Sequence, residues 1–468
     1  MKGQFPYQRI AVLDIGKTNA KVVVLDSATG AEIAAVKKPN TVVRSGPYPH
    51  YDIEALWAFT LDGLRHFAHE PGFDAISITT HGASAVLLDA DGALAMPVID
   101  YEHEYPDEIR DAYAALRPPF SETFSPKLSM GLNVGAQLHY QQTAFPAEFE
   151  KVATILTYPQ YWAARLTGVA ANERTSLGCH TDLWNPQAGT YSSLVDTLGI
   201  GDHMAPIRSA FDALGTVLPE IAARIGLFAP VPVYCGIHDS NASLLPHLVS
   251  RDAPFAVVST GTWVINFGVG GDLTRLDPKR DALANVDAYG RAVPSSRFMG
   301  GREFEILSAE IGAVAQDKVG NAINPVIERG VMLLPNIVPG SGPFPGKETR
   351  WIEAEAATAE ERYAAMCLYL ALMTEVCLGL VGAWGPVIVE GPFALNDTYL
   401  SLLAALVGRD VIAVPGSTGT SQGAALLTGI KPATGPEKHY RPEEIAGLGS
   451  YRQAWYEAIG ETLPSSSQ

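Results

Sequence analysis

The sequence predicts an α/β protein of two domains, each opening with a β-hairpin. Three observations carry that prediction. The chain has 468 residues, more than one hydrophobic core organises. A pair of apolar runs joined by a Gly-Thr turn occurs twice, as "RIAVLDIGKTNAKVVVLD" from Arg9 and "PFAVVSTGTWVINFGVGG" from Pro254. Strand-like and helix-like runs then alternate through both halves.

The elements follow in order. "RIAVLDIG", "AKVVVLDS" and "AEIAAVKK" are three short strands separated by turn residues, an antiparallel meander. "DIEALWAFTLDGLRHFAHE" spaces Leu56, Phe59, Leu64 and Phe67 for one helix face, with Asp52 as its N-cap. "FDAISITTHG" returns to a strand, and "SAVLLDADGALAMPVID" reads as a hairpin turning at Asp91-Gly92. After the second hairpin come a long apolar helix, the strand "PVIVEG", the helix "NDTYLSLLAALVG", the strand "DVIAVP" and the helix "SQGAALLTG". The domain boundary is expected within residues 243–254. This gives an N-terminal domain over 1–245, a C-terminal domain over 246–432, and a terminal helix and tail over 433–468.

Composition narrows the function. The formal net charge of -17 repels phosphate backbones, so nucleic acid is not an expected partner. Cys179, Cys235, Cys367 and Cys377 are scattered, without a C-x-x-C pair, which reads as reduced, buried thiols in a cytoplasmic protein. The chain opens on a strand pattern, not on a signal peptide. Residues 363–384, "YAAMCLYLALMTEVCLGLVGAW", are long and apolar enough for a membrane span. Glu375 near the middle and the strand that follows Gly385-Pro386 favour a buried core helix, with no membrane partner.

Gly16-Lys17-Thr18 has the last letters of a Walker A loop. That loop needs a glycine at position 11 and a helix after the threonine; the chain has Ala11 and the extended run "NAKVVVLD". The P-loop reading is rejected. An ordinary hairpin turn is the simple alternative, yet a turn rich in Gly and Thr also exposes N–H and hydroxyl donors suited to phosphate oxygens. Asp14, at the strand end, needs a partner for its charge, and a hydrated Mg²⁺ would supply one. Asp239 in "YCGIHDSNASLLPHL" precedes a helical run and is read either as an N-cap or as a reacting carboxylate.

These segments together resemble the FGGY carbohydrate kinases. "AVLDIGKTNAKVVVLD" is similar to that family's first phosphate motif, "VVSTGTWVINF" to its second, "RLTGVAANERTSLG" to its central segment and "VIVEGPFALNDTYLSLLAALVGRDVIAVP" to its adenosine motif. The resemblance implies two ribonuclease H-like domains of the actin-like ATPase type with an interdomain cleft, ATP and Mg²⁺ as cofactors, and a small sugar as substrate. It implies Asp239 as the general base for the sugar hydroxyl and Asp14 as the Mg²⁺ residue. Gly16, Lys17, Thr18 and Asn19 would meet one side of the ATP phosphates, and Thr260, Gly261 and Thr262 the other. Gly391, Pro392 and Asn396 would lie at the nucleotide, with Gly-Pro where the family usually has a glycine pair. A homodimer is left open.

For the sugar, His81 stands where many relatives have glutamine, and no Trp-x-Asp-x-Arg segment follows. "ALANVDAYGR" and "RFMGGREFEIL" are closer to the rhamnulose and fuculose kinase branch, which phosphorylates the first-carbon hydroxyl of a 6-deoxy-ketohexose. His81, Gly82, Asp100, His238 and Asp239 are the expected sugar residues. Asp100 and His103 read equally well as solvated loop residues, and Arg302 with Glu303 as a helix-start ion pair. Ribulose, xylulose or erythritol remain as alternative substrates. A non-catalytic nucleotide-binding module would be a sensor with a helix-turn-helix or a chaperone with a peptide-binding domain. Neither pattern is found in the sequence, so an enzyme is expected.

Overall fold

The computed structural model describes residues 7–415, 419–432 and 435–463. It divides into two compact units. The first comprises 1–251, 284–292 and 418–434; the second comprises 252–283, 293–417 and 435–468. The units are therefore discontinuous, where local sequence patterns suggest contiguous domains. Within the C-terminal segment, residues 464–468 lie outside the described residues.

The first unit is built on a seven-stranded sheet. Strands β1 (Arg9–Ile15), β2 (Asn19–Asp26) and β3 (Glu32–Pro39) form the antiparallel meander. Helix α1 (Ile53–Phe67) follows, with the Asp52 carboxylate accepting from the Ala55 N–H at 3.0 Å. Strand β4 (Ala75–Thr80) then pairs with β1 in parallel. On the far side of β4 lie β5 (Ala213–Thr216), β6 (Pro232–Tyr234) and β7 (Ile237–His238). β1 and β4 are buried almost along their whole length, as strands covered on both faces must be.

The hairpin expected around Asp91-Gly92 is reduced to a single bridge between Leu88 and Leu94. The strand Ala85–Leu88 instead pairs antiparallel with Thr154–Thr157. Four ladder positions there outweigh what the short turn offers, a case of distant pairing overriding local turn chemistry.

The same plan recurs in the second unit. Strands β8 (Phe255–Thr260) and β9 (Val264–Val269) form an antiparallel hairpin. β9 pairs with β10 (Ala292–Phe298), which leads into helix α2 (Gly300–Ile311). Helix α3 (Ala359–Val381) is the long apolar helix; 83% of its most apolar stretch is buried, and it runs through the core of this unit. Its start is fixed by a capping box of Thr358 and Glu361. Strand β11 (Val387–Glu390) then pairs with β8 in parallel, followed by helix α4 (Asp397–Val407) and strand β12 (Val411–Val414).

Helix α5 (Gly419–Leu426) belongs to the first unit. Its Ala424 carbonyl accepts from the Ser77 hydroxyl of β4 at 2.6 Å. It also lies so close to the Asp239–Ser250 helix that a side chain at Gly423 would strike the Ala242 carbonyl. The terminal helix Leu448–Ala458 belongs to the second unit, where Trp455 is fully buried and donates to the Leu333 carbonyl at 2.8 Å.

Candidate active site

Three strand ends of the first unit bring the reactive side chains together. In the parallel register, Asp14 of β1 pairs with Thr79 of β4 and Ile15 with Thr80. Thr79 and Thr80 in turn pair with Ile237 and His238 of β7. Asp14, His81 and Asp239 thus leave neighbouring strands within two rungs of each other, at the carboxyl ends where α/β sheets gather their ligands. The loop before β7 is fixed by the Gln160 amide, which donates to the Cys235 and Gly236 carbonyls at 3.0 and 3.1 Å.

Asp239 is the first residue of the Asp239–Ser250 helix, and His238 occupies the N-cap position without a side-chain cap bond. The capping reading of Asp239 is therefore excluded. Its hydrogen bonds converge on one carboxylate oxygen: Oδ1 accepts from the Ser240 N–H at 2.6 Å and the Ser240 hydroxyl at 3.3 Å, and His238 Nε2 lies 3.1 Å from the same oxygen. Oδ2 has no partner among the described residues, and the side chain keeps 28% of its surface exposed. Removal from water pushes the carboxyl up to about 6, with His81 opposing and the Asp14 charge adding to the rise. A carboxylate with one fixed and one open oxygen is suited to accept a proton.

His81 is buried, and its Nδ1 lies 2.8 Å from the Gly82 carbonyl. A carbonyl only accepts, so Nδ1 carries the hydrogen and Nε2 presents a lone pair. That Nε2 has no hydrogen-bond partner among the described residues, and burial lowers the imidazole to about 4, keeping it neutral. Gly82 has a separate task. A Cβ there would lie 2.8 Å from His238 Nε2, so the glycine makes room for that ring.

Asp14 is 7% exposed, and its Oδ2 accepts from the Thr420 and Ser421 hydroxyls at 2.7 and 2.8 Å. Both belong to the first turn of α5, some 400 positions away, and nothing local to either segment announces the meeting. No described ion pair involves Asp14. Its residue type and its uncompensated charge fit one carboxylate ligand of a hydrated magnesium, which takes one or two protein carboxylates and completes its shell with water and phosphate. Among the described residues no group of three or more His, Cys, Asp or Glu side chains forms a self-sufficient metal site.

The first turn is closed by the Gly16 N–H donating to the Asn19 carbonyl at 2.9 Å. Asn40 braces it, its side chain donating to the Gly16 carbonyl at 2.9 Å and its backbone N–H to the Thr18 carbonyl at 2.9 Å. Lys17, expected at the phosphates, lies against the Asp100 loop. Its ammonium is paired with Asp100, reaches Glu102 at 3.5 Å and lies over the Tyr101 and Tyr51 rings at 4.6 and 5.2 Å. Asp100 is accordingly a buried, paired carboxylate and not a solvated one. His103 packs edge-on against Tyr105 and Tyr140.

The second unit gathers the other expected residues. Gly261 and Thr262 are exposed in the turn, closed by the Gly261 N–H to the Trp263 carbonyl at 2.9 Å. Gly301 allows α2 to start against this turn, where a Cβ would collide with the Gly261 carbonyl. Thr260 is buried and its hydroxyl bridges the Glu390 carbonyl and the Phe393 N–H. Gly391 holds φ at 78°, and a Cβ would strike the Thr260 carbonyl. Pro392 opens a short 3₁₀ turn, and Asn396 caps α4 by accepting from the Tyr399 N–H at 3.0 Å. The Arg302–Glu303 ion pair does not form. Arg302 pairs with Glu305, while Glu303 is buried and accepts from the Tyr369 hydroxyl at 3.0 Å. An apolar neighbourhood at i+4 (Leu307) and the helix phase turn Glu303 inward.

Residues 9–246 match the N-terminal domain of the FGGY family of carbohydrate kinases, and residues 252–437 match the carbohydrate kinase FGGY C-terminal domain. A carbohydrate kinase from Novosphingobium aromaticivorans is 36% identical and superposes with a TM-score of 0.89, covering 96% of this chain and 98% of that one. A xylulose kinase from Rhodospirillum rubrum, 18% identical with a TM-score of 0.79 over 97% of this chain and 99% of its own, shares the fold. Among curated relatives, an L-fuculokinase from Haemophilus influenzae is 25% identical over 54% of this chain and 56% of its own length. A rhamnulokinase from Bacteroides thetaiotaomicron is 25% identical over 59% and 58%. The chain thus spans somewhat over half the length of the curated relatives it matches. With both domain models matched in order and the strand ends arranged as described, the chain belongs to the FGGY family of carbohydrate kinases.

Proposed function

We propose that the protein is an ATP-dependent kinase that transfers the γ-phosphoryl group to a primary hydroxyl of a ketose, the first-carbon hydroxyl of a 6-deoxy-ketohexose such as L-fuculose or L-rhamnulose. The observation that carries this reading is Asp239, a carboxylate with a donor-saturated Oδ1 and an open Oδ2 at the strand ends. In this reading Oδ2 takes the proton of the acceptor hydroxyl as the phosphoryl group is transferred. Phosphoryl transfer asks the protein mainly for alignment and charge stabilisation, with a carboxylate near the acceptor. His81 Nε2, a buried lone pair, accepts from a second sugar hydroxyl. The Lys17–Asp100 pair, walled by Tyr51 and Tyr101, offers one cationic and one anionic group to the remaining hydroxyls.

Asp14 would hold Mg²⁺, which when bound neutralises phosphate charge. The Thr420 and Ser421 hydroxyls keep one Asp14 oxygen fixed so that the other is free for that task. The Gly261–Thr262 turn and Gly391 are proposed as the nucleotide-side contacts. All four cysteines are buried thiols outside any disulfide, which accords with a cytoplasmic enzyme.

The sugar assignment rests on the likeness to the fuculose and rhamnulose kinases and is tested by a panel. Protein with Mg-ATP is offered L-fuculose, L-rhamnulose, L-ribulose, D-xylulose and erythritol, and ADP is followed. The expected outcome is the highest kcat/KM on a 6-deoxy-ketohexose. Turnover confined to a pentulose or polyol would overturn the sugar assignment, and silence across the panel would count against the kinase reading itself.

A further inference from the structure

The chemistry so far uses Asp239 Oδ2 and His81 Nε2, and leaves unexplained why a second buried imidazole, His238, lies against Asp239. We propose that His238 is a positioning residue, held by Asn241 as the neutral tautomer that carries its proton on Nε2 and directs it at Asp239 Oδ1. The inference rests on reading Asp239 as the base.

The hydrogen positions follow from the partners. Asn241 Nδ2 lies 3.0 Å from His238 Nδ1. An amide nitrogen only donates, so Nδ1 must offer its lone pair, and the ring hydrogen of a neutral imidazole then resides on Nε2. Nε2 is 3.1 Å from Asp239 Oδ1, which sets the hydrogen-bearing edge of the ring beside the carboxylate. The reversed tautomer would set two hydrogens against each other at Nδ1 and a lone pair against a carboxylate at Nε2. Burial lowers His238 to about 4, so the ring stays neutral in the working range.

The surroundings fix the ring as well as its proton. Gly82 abuts it at a distance no side chain would tolerate. The His238 backbone N–H donates to Thr175 Oγ1 at 3.1 Å, and that hydroxyl is itself held by the buried Glu173 carboxylate. Glu173 also accepts from the Thr175 N–H at 2.9 Å and the Ser176 N–H at 3.4 Å, capping the short helix Arg174–Leu177.

The result is a directional pair. His238 donates and His81 accepts, with Asp239 beside both. Because Ser240 donates twice to Oδ1 and His238 lies against it, only Oδ2 remains to take a proton. An incoming hydroxyl can donate to Asp239 Oδ2 or to His81 Nε2, but finds no acceptor on His238. The arrangement therefore orients the base without taking part in the transfer.

The test reads the tautomer directly. Two-bond ¹H–¹⁵N spectra of the full chain carrying ¹⁵N-histidine, with His238 assigned by its loss in His238→Gln, should show a protonated Nε2 and a bare Nδ1 at pH 7.5. The spectrum needs neither ATP nor sugar, so its outcome is separable from failure of the kinase reading. Asn241→Asp replaces the donor by an acceptor and should invert the tautomer. Its kcat should fall about 10–100-fold, the range typical for groups that orient a reacting residue, with the sugar KM nearly unchanged. Asn241→Ser, which keeps a hydroxyl donor, should recover much of the loss. A protonated Nδ1 or an imidazolium in the parent protein would overturn the proposal. So would Asn241→Asp with full turnover. Should Asn241→Asp fail to fold, the parent spectrum and the serine variant still decide.

Discussion

Gly16 and Gly261 close the two hairpin turns by the same bond, an N–H donated to a carbonyl 2.9 Å away at Asn19 and at Trp263. In both units the strand before the turn pairs antiparallel with the next strand and in parallel with a later one. What surrounds the turns differs. The first has Asp14, Lys17, His81, His238 and Asp239 on neighbouring strand ends and loops. The second has the neutral bridge from Thr260 to Glu390 and Phe393, with Ser259 at the ladder position matching Asp14. One backbone plan therefore serves two chemistries. Ionisable side chains gather at the first turn, and the second offers backbone and hydroxyl donors.

The largest effect expected from this contrast is at Asp239. Asp239→Asn retains the shape and removes the base, so kcat should fall by about 10³-fold. Calorimetric ATP binding should be unchanged, because the second turn is untouched. A variant that keeps most of its turnover would reduce Asp239 to a structural residue and erase the distinction between the turns.

Each unit also buries a carboxyl group that burial raises to about 7, and the two are solvated differently. Glu173 receives three donors, whereas Glu303 receives the Tyr369 hydroxyl on one oxygen, and its Oε1 has no hydrogen-bond partner among the described residues. Glu303 thus favours its neutral form. Its folded value lies above the ordinary 4.5, so its contribution is fully present below about pH 4.5 and is lost as the pH rises through about 7. Glu303→Gln should remove that dependence. Thermal and urea unfolding between pH 5 and 8 should show the parent losing up to roughly 3 kcal/mol relative to the variant. Parallel curves would show that Glu303 is ionised throughout.

A smaller effect is expected at His81. Loss of its Nε2 acceptor in His81→Ala should raise the sugar KM about tenfold, in line with one hydrogen bond of ~1.5 kcal/mol. The ATP KM should not move. A change confined to ATP would transfer His81 to the nucleotide side.

The hairpins that open the two units, α1 with its Asp52 cap and the buried helix α3 were legible in the sequence because period and end signals are local. The family motifs also located Asp14, His81 and Asp239 on strand ends. The rest depends on contacts between distant segments. Thr420 and Ser421 meet Asp14 only because α5 returns to the first sheet. Thr175 meets His238 across 63 positions. The i,i+3 step from His238 to Asn241 is local, and the helical phase after Asp239 could have exposed it. Lys17 shows the limit of motif reasoning. Its place in a phosphate motif says nothing of its pairing with Asp100, 83 positions on.

The central claim is that Asp239 works as an ionised base from a partly desolvated nest. The most direct measurement is the pH dependence of kcat/KM for the best ketose. The account predicts an acid limb that falls below an apparent pKa near 6, the value burial gives Asp239. A profile that stays flat from pH 8 down to pH 5 would contradict it.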